Sequence, residues 1–313
     1  MQKRKFGYCC INLSLQEGKK ENRITANRGM TSKTFHEKGV SYASQLAKEN
    51  TCDLRKIILW NNLNGIKMYR MSSDMFPWFS EYEIKDLPDF EAIRKNLEFA
   101  GDEAKKGGQR ITFHPSHFNV LASLNPDVVK KSIKEIDQHA EIMDLMGLER
   151  SHHYPINIHV NTTQPSKEAA AERFCENFQL LSEGARDRLV VEIDDKTSQF
   201  NVGDLKMMVY DRIGVPITFD FLHNKCNPAE DLTERDALEI CLNTWPSGVV
   251  PLTHYSESKK LFEDASSKLL AHSDWIHEKI ETYGFDFDIE LEVKMKEKAL
   301  LNYHEKLESI LHE

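Results

Sequence analysis

No stretch of this chain approaches the roughly 18 consecutive apolar residues that a membrane-spanning helix requires. The start, MQKRKFGYCC, carries basic residues but no long apolar run and no small-residue cleavage site, so the expectation is a soluble, cytoplasmic protein with no membrane partner. Cysteine is sparse. The six, at 9, 10, 52, 175, 226 and 241, form no CxxC pair and lack the density of a secreted disulfide scaffold, which leaves reduced thiols as the expectation. No Ser/Gly-rich linker or low-complexity tract interrupts the chain, so residues 1–313 read as a single domain. A basic surplus is also missing. The net charge of −9 argues against a broad cationic coat for nucleic acid, although it excludes no local groove, and bound divalent cations would reverse the field at an acidic mouth.

What is present is an alternation of short β-branched runs with longer amphipathic stretches, the signature of repeated βα units and a parallel sheet. Candidate strands fall at 6–12, 65–71, 110–114, 156–160, 189–193, 216–220, 249–254 and 287–292. Candidate helices fall between them at 34–61, 87–106, 124–147, 166–186, 201–211, 230–243, 258–281 and 294–312, with caps at Asn125-Pro126 and Pro165-Ser166. Eight such units close a TIM (β/α)8 barrel, the predicted fold class. An open doubly wound sheet would alternate in the same way. Against it, no GxGxxG follows the first strand, and polar residues sit at the ends of most strands instead of at one switch point.

In a barrel, chemistry belongs at the carboxyl ends of the strands. His114, His159, Glu192, Asp220, His254 and Glu292 fall at or near such ends, and His223 follows in the next loop. Each alone has a plain alternative. His114 before Pro115 could be a hydrogen-bonded strand end, Glu192 half of a salt bridge, Asp220 an Asx-turn and His223 a surface residue. Asn157, His159 and Asn161 share one face of a period-two strand, and a buried polar face needs partners. Together these residues form an imidazole and carboxylate set without thiolate, suited to zinc or manganese. Two or three such ions bridged by a carboxylate like Glu192 suit phosphodiester hydrolysis. Asp288, Glu290 and Glu292 share a parity in the last strand, so an inward Glu292 carries Glu290 with it. That arrangement is costly unless Lys294 or another cation balances the charge.

The runs FGYCCINL, YRMSSDMFPW, FHPSHFNVL, INIHVN, VVEID, ITFDFLHN, THYSES and DIELEVKMKEKALL, in that order from about residue 6 to 301, resemble the UV damage endonuclease family. The resemblance implies a TIM barrel similar to endonuclease IV. It implies two or three divalent ions, manganese foremost with zinc or magnesium possible, and no organic cofactor. The reaction implied is a nick immediately 5′ of UV photoproducts in double-stranded DNA, and the protein implied is a monomer, nucleoid-associated when bound. Family metal ligands match His114, His159, Glu192, Asp220, His223, His254, His272 and Glu292, with Glu192 and Glu292 central to catalysis. His272 lies in a helix-like stretch that spacing does not single out. Tyr8, Asn12, Arg70, His117, Phe118 and Lys225 are the expected DNA and lesion contacts. Two departures stand out. Leu252 replaces a lysine that many members carry two positions before the histidine matching His254, and Ser116-His117-Phe118 replaces a Gly-Gln-aromatic sequence. Sugar isomerases use the same barrel and ligand types, and a damage-binding protein without catalysis is the other alternative.

Overall fold

The eight short runs do become strands, each buried along most of its length because helices cover one face and the barrel interior the other. The structure is a computed structural model describing residues 4–19 and 22–311, with side chains through 306. In order, β1 (Phe6–Cys9), β2 (Met68–Met71), β3 (Arg110–Phe113), β4 (Ile156–Ile158), β5 (Leu189–Glu192), β6 (Ile217–Asp220), β7 (Leu252–Tyr255) and β8 (Asp288–Leu291) form a closed parallel barrel in sequence order. β8 pairs back onto β1. This is the expected TIM barrel.

The helices are α1 (Ser32–Leu63), α2 (Phe90–Gly107), α3 (Pro126–Leu145), α4 (Lys167–Phe178), α5 (Glu183–Arg186), α6 (Val202–Leu205), α7 (Asp211–Ile213), α8 (Phe221–Cys226), α9 (Glu234–Leu242), α10 (Lys259–Phe262) and α11 (Lys296–Leu311). The two expected caps form: Asn125 accepts from the Asp127 amide with Pro126 opening α3, and Ser166 accepts from the Ala169 amide at the start of α4.

Three helical expectations are corrected. The stretch 166–186 divides into α4 and α5, and 201–211 passes from α6 into a π-helical turn, Lys206–Tyr210. The stretch 258–281 is helical only over α10. Beyond α10, carboxylates take the backbone donors a helix would use: Glu263 accepts from the amides of Asp274 and Trp275, and Glu257 from those of His277 and Glu278.

Period-two alternation decides which residues enter the barrel. Tyr69, Ile111, Phe113, Ile156, Ile158 and Ile289 belong to the apolar core outside the strands, whereas Arg70, Arg110, Thr112, Asn157, Glu192, His254, Asp288 and Glu290 contact one another across the interior. Arg110 closes the amino-terminal end. Its guanidinium is fully buried, pairs with Asp288 at 3.0 Å, donates to the carbonyls of His152, His153 and Val250, and lies over the Trp245 ring. Leu252 packs beside it with Met68, Val190 and Trp245. The position that departs from the family pattern is thus part of an apolar floor, two residues along β7 from His254, and the polar groups gather above that floor.

Candidate metal centre

Strand ends bring seven of the eight expected ligands to one place. Three groups of donor atoms, each within 4.8 Å of one another, are His114, His159 and Glu192; Glu192, Asp220 and His223; and Glu192, His254 and Glu292. Glu192 belongs to all three. Its carboxylate lies 3.0 Å from Nε2 of His114, 3.1 Å from Nδ1 of His254, 3.3 Å from Nδ1 of His223 and 3.6 Å from Nε2 of His159. The Asn157 side-chain amide donates to it from the neighbouring strand.

The imidazoles are held as metal ligands usually are, by an oxygen on the nitrogen that does not bind. Nδ1 of His114 donates to the Pro115 carbonyl at 3.1 Å and that of His223 to the Ile193 carbonyl at 2.9 Å. Nδ1 of His272 donates to the Glu292 carbonyl at 3.1 Å. This fixes the tautomer, so in each neutral ring Nε2 carries the free lone pair. His254 is reversed: Nε2 faces Glu290 at 3.4 Å, and Nδ1, buried without a hydrogen bond, points at Glu192 and Glu292. Asp194, two residues beyond Glu192, places Oδ1 3.1 Å from Nδ1 of His159, out of line for a hydrogen bond. Oε1 of Glu192 and Oδ2 of Asp220 are likewise buried with no hydrogen-bond partner. Orphaned acceptors on converging carboxylates are costly as they stand, and divalent cations satisfy them. The donor set, imidazole and carboxylate without thiolate, fits manganese, zinc or magnesium.

His272 reaches this rim by a route spacing did not show. It lies in no helix. An antiparallel bridge between Ser258 and His272 folds the segment back over the mouth, setting its ring 6.5 Å from that of His223 and Nδ1 3.7 Å from the Glu292 carboxylate. His223 also sits elsewhere than expected, in the first turn of α8 instead of a loop. Asp220 caps that helix by accepting from the His223 amide at 2.7 Å.

Of the expected DNA contacts, His117 and Phe118 are exposed on the loop after β3, Phe118 at 75%, with ring centroids 4.2 Å apart. Lys225 is exposed on α8. Three others are corrected. Arg70 is buried inside the barrel, paired with Glu290 and Glu292, because it shares the inward parity of Met68. Tyr8 faces outward and is fully buried, its hydroxyl donating to Asn61 of α1 and accepting from Asn12. Asn12 lies beyond the end of β1, where its side chain also accepts from the Leu15 amide. Asn161 has left the shared face of β4, with φ at 63° and its amide donating to the Asn119 carbonyl. The charge on Glu290 is balanced by Arg70, with Thr112 donating to its second oxygen, whereas Lys294 is exposed. Sequence reading missed the parts played by Asp194 and Thr112, although inward parity with Glu192 and His114 marks both; for Glu290 it gave the inward turn and the need for a cation, but not Arg70 as that cation.

Electrostatics make the ion-free centre a proton store. Burial opposes charge on His223 and His254, but Asp220 and Glu192 outweigh it at His223 and Glu192 does so at His254, pushing them up to about 10 and about 9. Burial also works against the charge on Glu192, yet His254 and His159 hold its carboxyl well below the usual range. Burial raises Asp220. For a histidine raised above its unfolded value of about 6.5, the stabilisation is complete below that pH and is lost as pH climbs through the folded value. The melting temperature of ion-free protein is therefore expected to fall between about pH 6.5 and 10. Mn-loaded protein should not share this decline, since its ligating imidazoles have already lost their protons. Differential scanning calorimetry across that range, with chelator or with Mn, checks this, and a flat profile for the ion-free protein counts against it.

A family model described as UV-endonuclease UvdE matches residues 4–312. A putative UV-damage endonuclease of Acanthamoeba polyphaga mimivirus is 29% identical over 304 residues, covering 96% of this chain and 90% of its own. The crystal structure of SacUVDE matches with a TM-score of 0.82 at 29% identity, covering 98% of this chain and 99% of that one. Endonuclease IV from Thermus thermophilus shares the fold, with a TM-score of 0.55 at 16% identity over 82% of this chain and 94% of that one.

Proposed function

Because the chain belongs to the UV-endonuclease UvdE family, we propose that it is a DNA repair endonuclease that uses divalent ions to nick the phosphodiester immediately 5′ of UV photoproducts in duplex DNA. The observation that carries this reading is the sharing of Glu192 among three ligand groups at the carboxyl end of the barrel. Ions held there would activate water and neutralise charge building on the phosphate and on the leaving 3′ oxygen.

The chain's own part is placement. Glu192 offers two oxygens to neighbouring ligand groups, and Asn157 orients it by donating to Oε2. Asp220 and His223 serve one side of the cluster, His254 and Glu292 the other, and His114 and His159 the third. His272 stands next to Glu292, ready to add an imidazole on that side. The Arg110 and Leu252 floor closes the barrel below, so phosphate approaches only from the rim. On the rim, Phe118, His117 and Lys225 are free to meet DNA.

Lesion choice follows from deformability instead of base reading. A photoproduct pairs and stacks poorly, so bending the duplex and extruding the damaged dinucleotide costs less there than in intact DNA. The decisive assay uses a UV-irradiated, end-labelled duplex with Mn, with chelator, and with Mn restored after chelation. Breaks mapping 5′ of dipyrimidine sites, abolished by chelator and recovered with Mn, are expected. Nicking that persists in chelator, or breaks that ignore irradiation, would remove this reading.

A further inference from the structure

Arg70 and Glu290 have no place in the ligand groups, yet both are buried inside the barrel against two members of them. The Arg70 guanidinium donates from Nε to Oε1 of Glu290 and from Nη2 to Oε1 of Glu292, and its Nη2 is also ion-paired with Glu290. Glu290 closes the network. Its Oε2 accepts from the Thr112 hydroxyl at 2.5 Å, and its Oε1 lies 3.4 Å from Nε2 of His254, the residue facing it in the β7–β8 register. Nη2 of Arg70 also lies 3.5 Å from that nitrogen, so the one buried ion pair borders His254 as well as Glu292. The other ring nitrogen, Nδ1, lies 3.1 Å from Glu192 and 3.3 Å from Glu292.

We propose that Arg70 and Glu290 are a positioning pair for the metal centre, Arg70 fixing the Glu292 carboxylate through Oε1 and the two side chains together fixing the His254 ring from its Nε2 side. Two of the three donors in the third ligand group are then oriented by one buried ion pair. This rests on the metal-dependent reading above. Charge alone does not explain the arrangement, because Arg70 and Glu290 cancel: the pair supplies Glu292 and His254 with geometry and adds no net charge to the centre.

That cancellation gives a clean test. The double variant Arg70→Met/Glu290→Leu removes the pair without changing the net charge, and replacing a buried ion pair by apolar residues is commonly neutral or stabilising. Mn binding to the chelator-stripped protein is followed by calorimetry and equilibrium dialysis, alongside circular dichroism and melting temperature. The double variant is expected to stay folded and to bind one Mn roughly 10–100-fold more weakly, with the remaining ions unaffected. Arg70→Lys, which keeps the charge but loses the fork, is expected to fall between the two. A wild-type Mn isotherm in the folded double variant overturns the proposal and leaves Arg70 and Glu290 a structural plug. Should the double variant not fold, a wild-type isotherm in both Arg70→Lys and Glu290→Gln overturns it equally. If the wild-type protein itself binds no divalent ion, the metal-dependent reading fails first, an outcome distinct from equal binding by wild type and variants.

Discussion

Glu192→Gln is expected to leave the barrel folded and to cut nicking of irradiated duplex by at least about three orders of magnitude, on the order of 4 kcal/mol in the barrier. The substitution keeps shape and removes an oxygen. Glu192 is common to all three ligand groups, and its buried Oε1 has no hydrogen bond to lose. Glutamine puts an NH2 where an anionic oxygen stood, so it cannot bridge, and whichever way the amide turns it presents donor hydrogens to the cluster. Folding should survive, because the imidazoles now held protonated by this carboxylate can shed their protons once it is gone, leaving no stranded charge. Fewer bound Mn and a smaller proton release on Mn binding should accompany the lost activity. A Glu192→Gln protein that nicks at the wild-type rate, or binds Mn with unchanged stoichiometry, would show that the shared carboxylate is not the centre.

The positions that the structure clusters as candidate ligands were legible because barrel physics is periodic. A short apolar run has one carboxyl end, and a histidine or acid found there in strand after strand has few other reasons to recur. His114, His159, Glu192, Asp220, His254 and Glu292 all came from that single rule. His272 obeys a different one. Its place depends on pairing between residues 258 and 272, and on carboxylates at 257 and 263 that take helix-breaking backbone contacts, none of which a helical pattern over 258–281 reveals.

Arg70 is the more instructive case. Near the carboxyl end of a strand, an arginine in a DNA-repair enzyme reads as a phosphate contact. Its parity with Met68 and Arg110's pairing across the barrel point inward instead, and strand alternation alone could have shown this. What sequence could not supply was the partner. Glu290 is 220 positions away, and only barrel closure brings β8 within reach of β2. The same closure explains Glu290 itself, an acid whose burial is prohibitive in isolation and reasonable beside a guanidinium and a hydroxyl.

The second large effect is expected at the rim, in the double variant His117→Ala/Phe118→Ala. A phenyl ring 75% exposed beside an imidazole gains little in the free protein, so its removal should change stability by no more than about 0.5 kcal/mol. Its value would come on DNA. Extruding a dinucleotide opens a gap in the stack, and an aromatic face filling such a gap is worth about 1–3 kcal/mol per base. Losing that contact should lower kcat/KM on a defined photoproduct roughly 10–100-fold, while Mn binding stays at its wild-type value because neither side chain belongs to a ligand group. The penalty should be largest for lesions that disturb stacking least, since they depend most on the wedge to offset opening the helix, and smallest for lesions already unstacked. His117→Gln separates the two residues. It restores an amide in place of an imidazole and leaves Phe118 to stack, so its expected signature is a changed order of preference among lesions with the overall rate largely kept. If the double variant cuts every lesion with wild-type efficiency and in the wild-type order, then the loop after β3 does not enter the duplex, and recognition must come from another part of the rim.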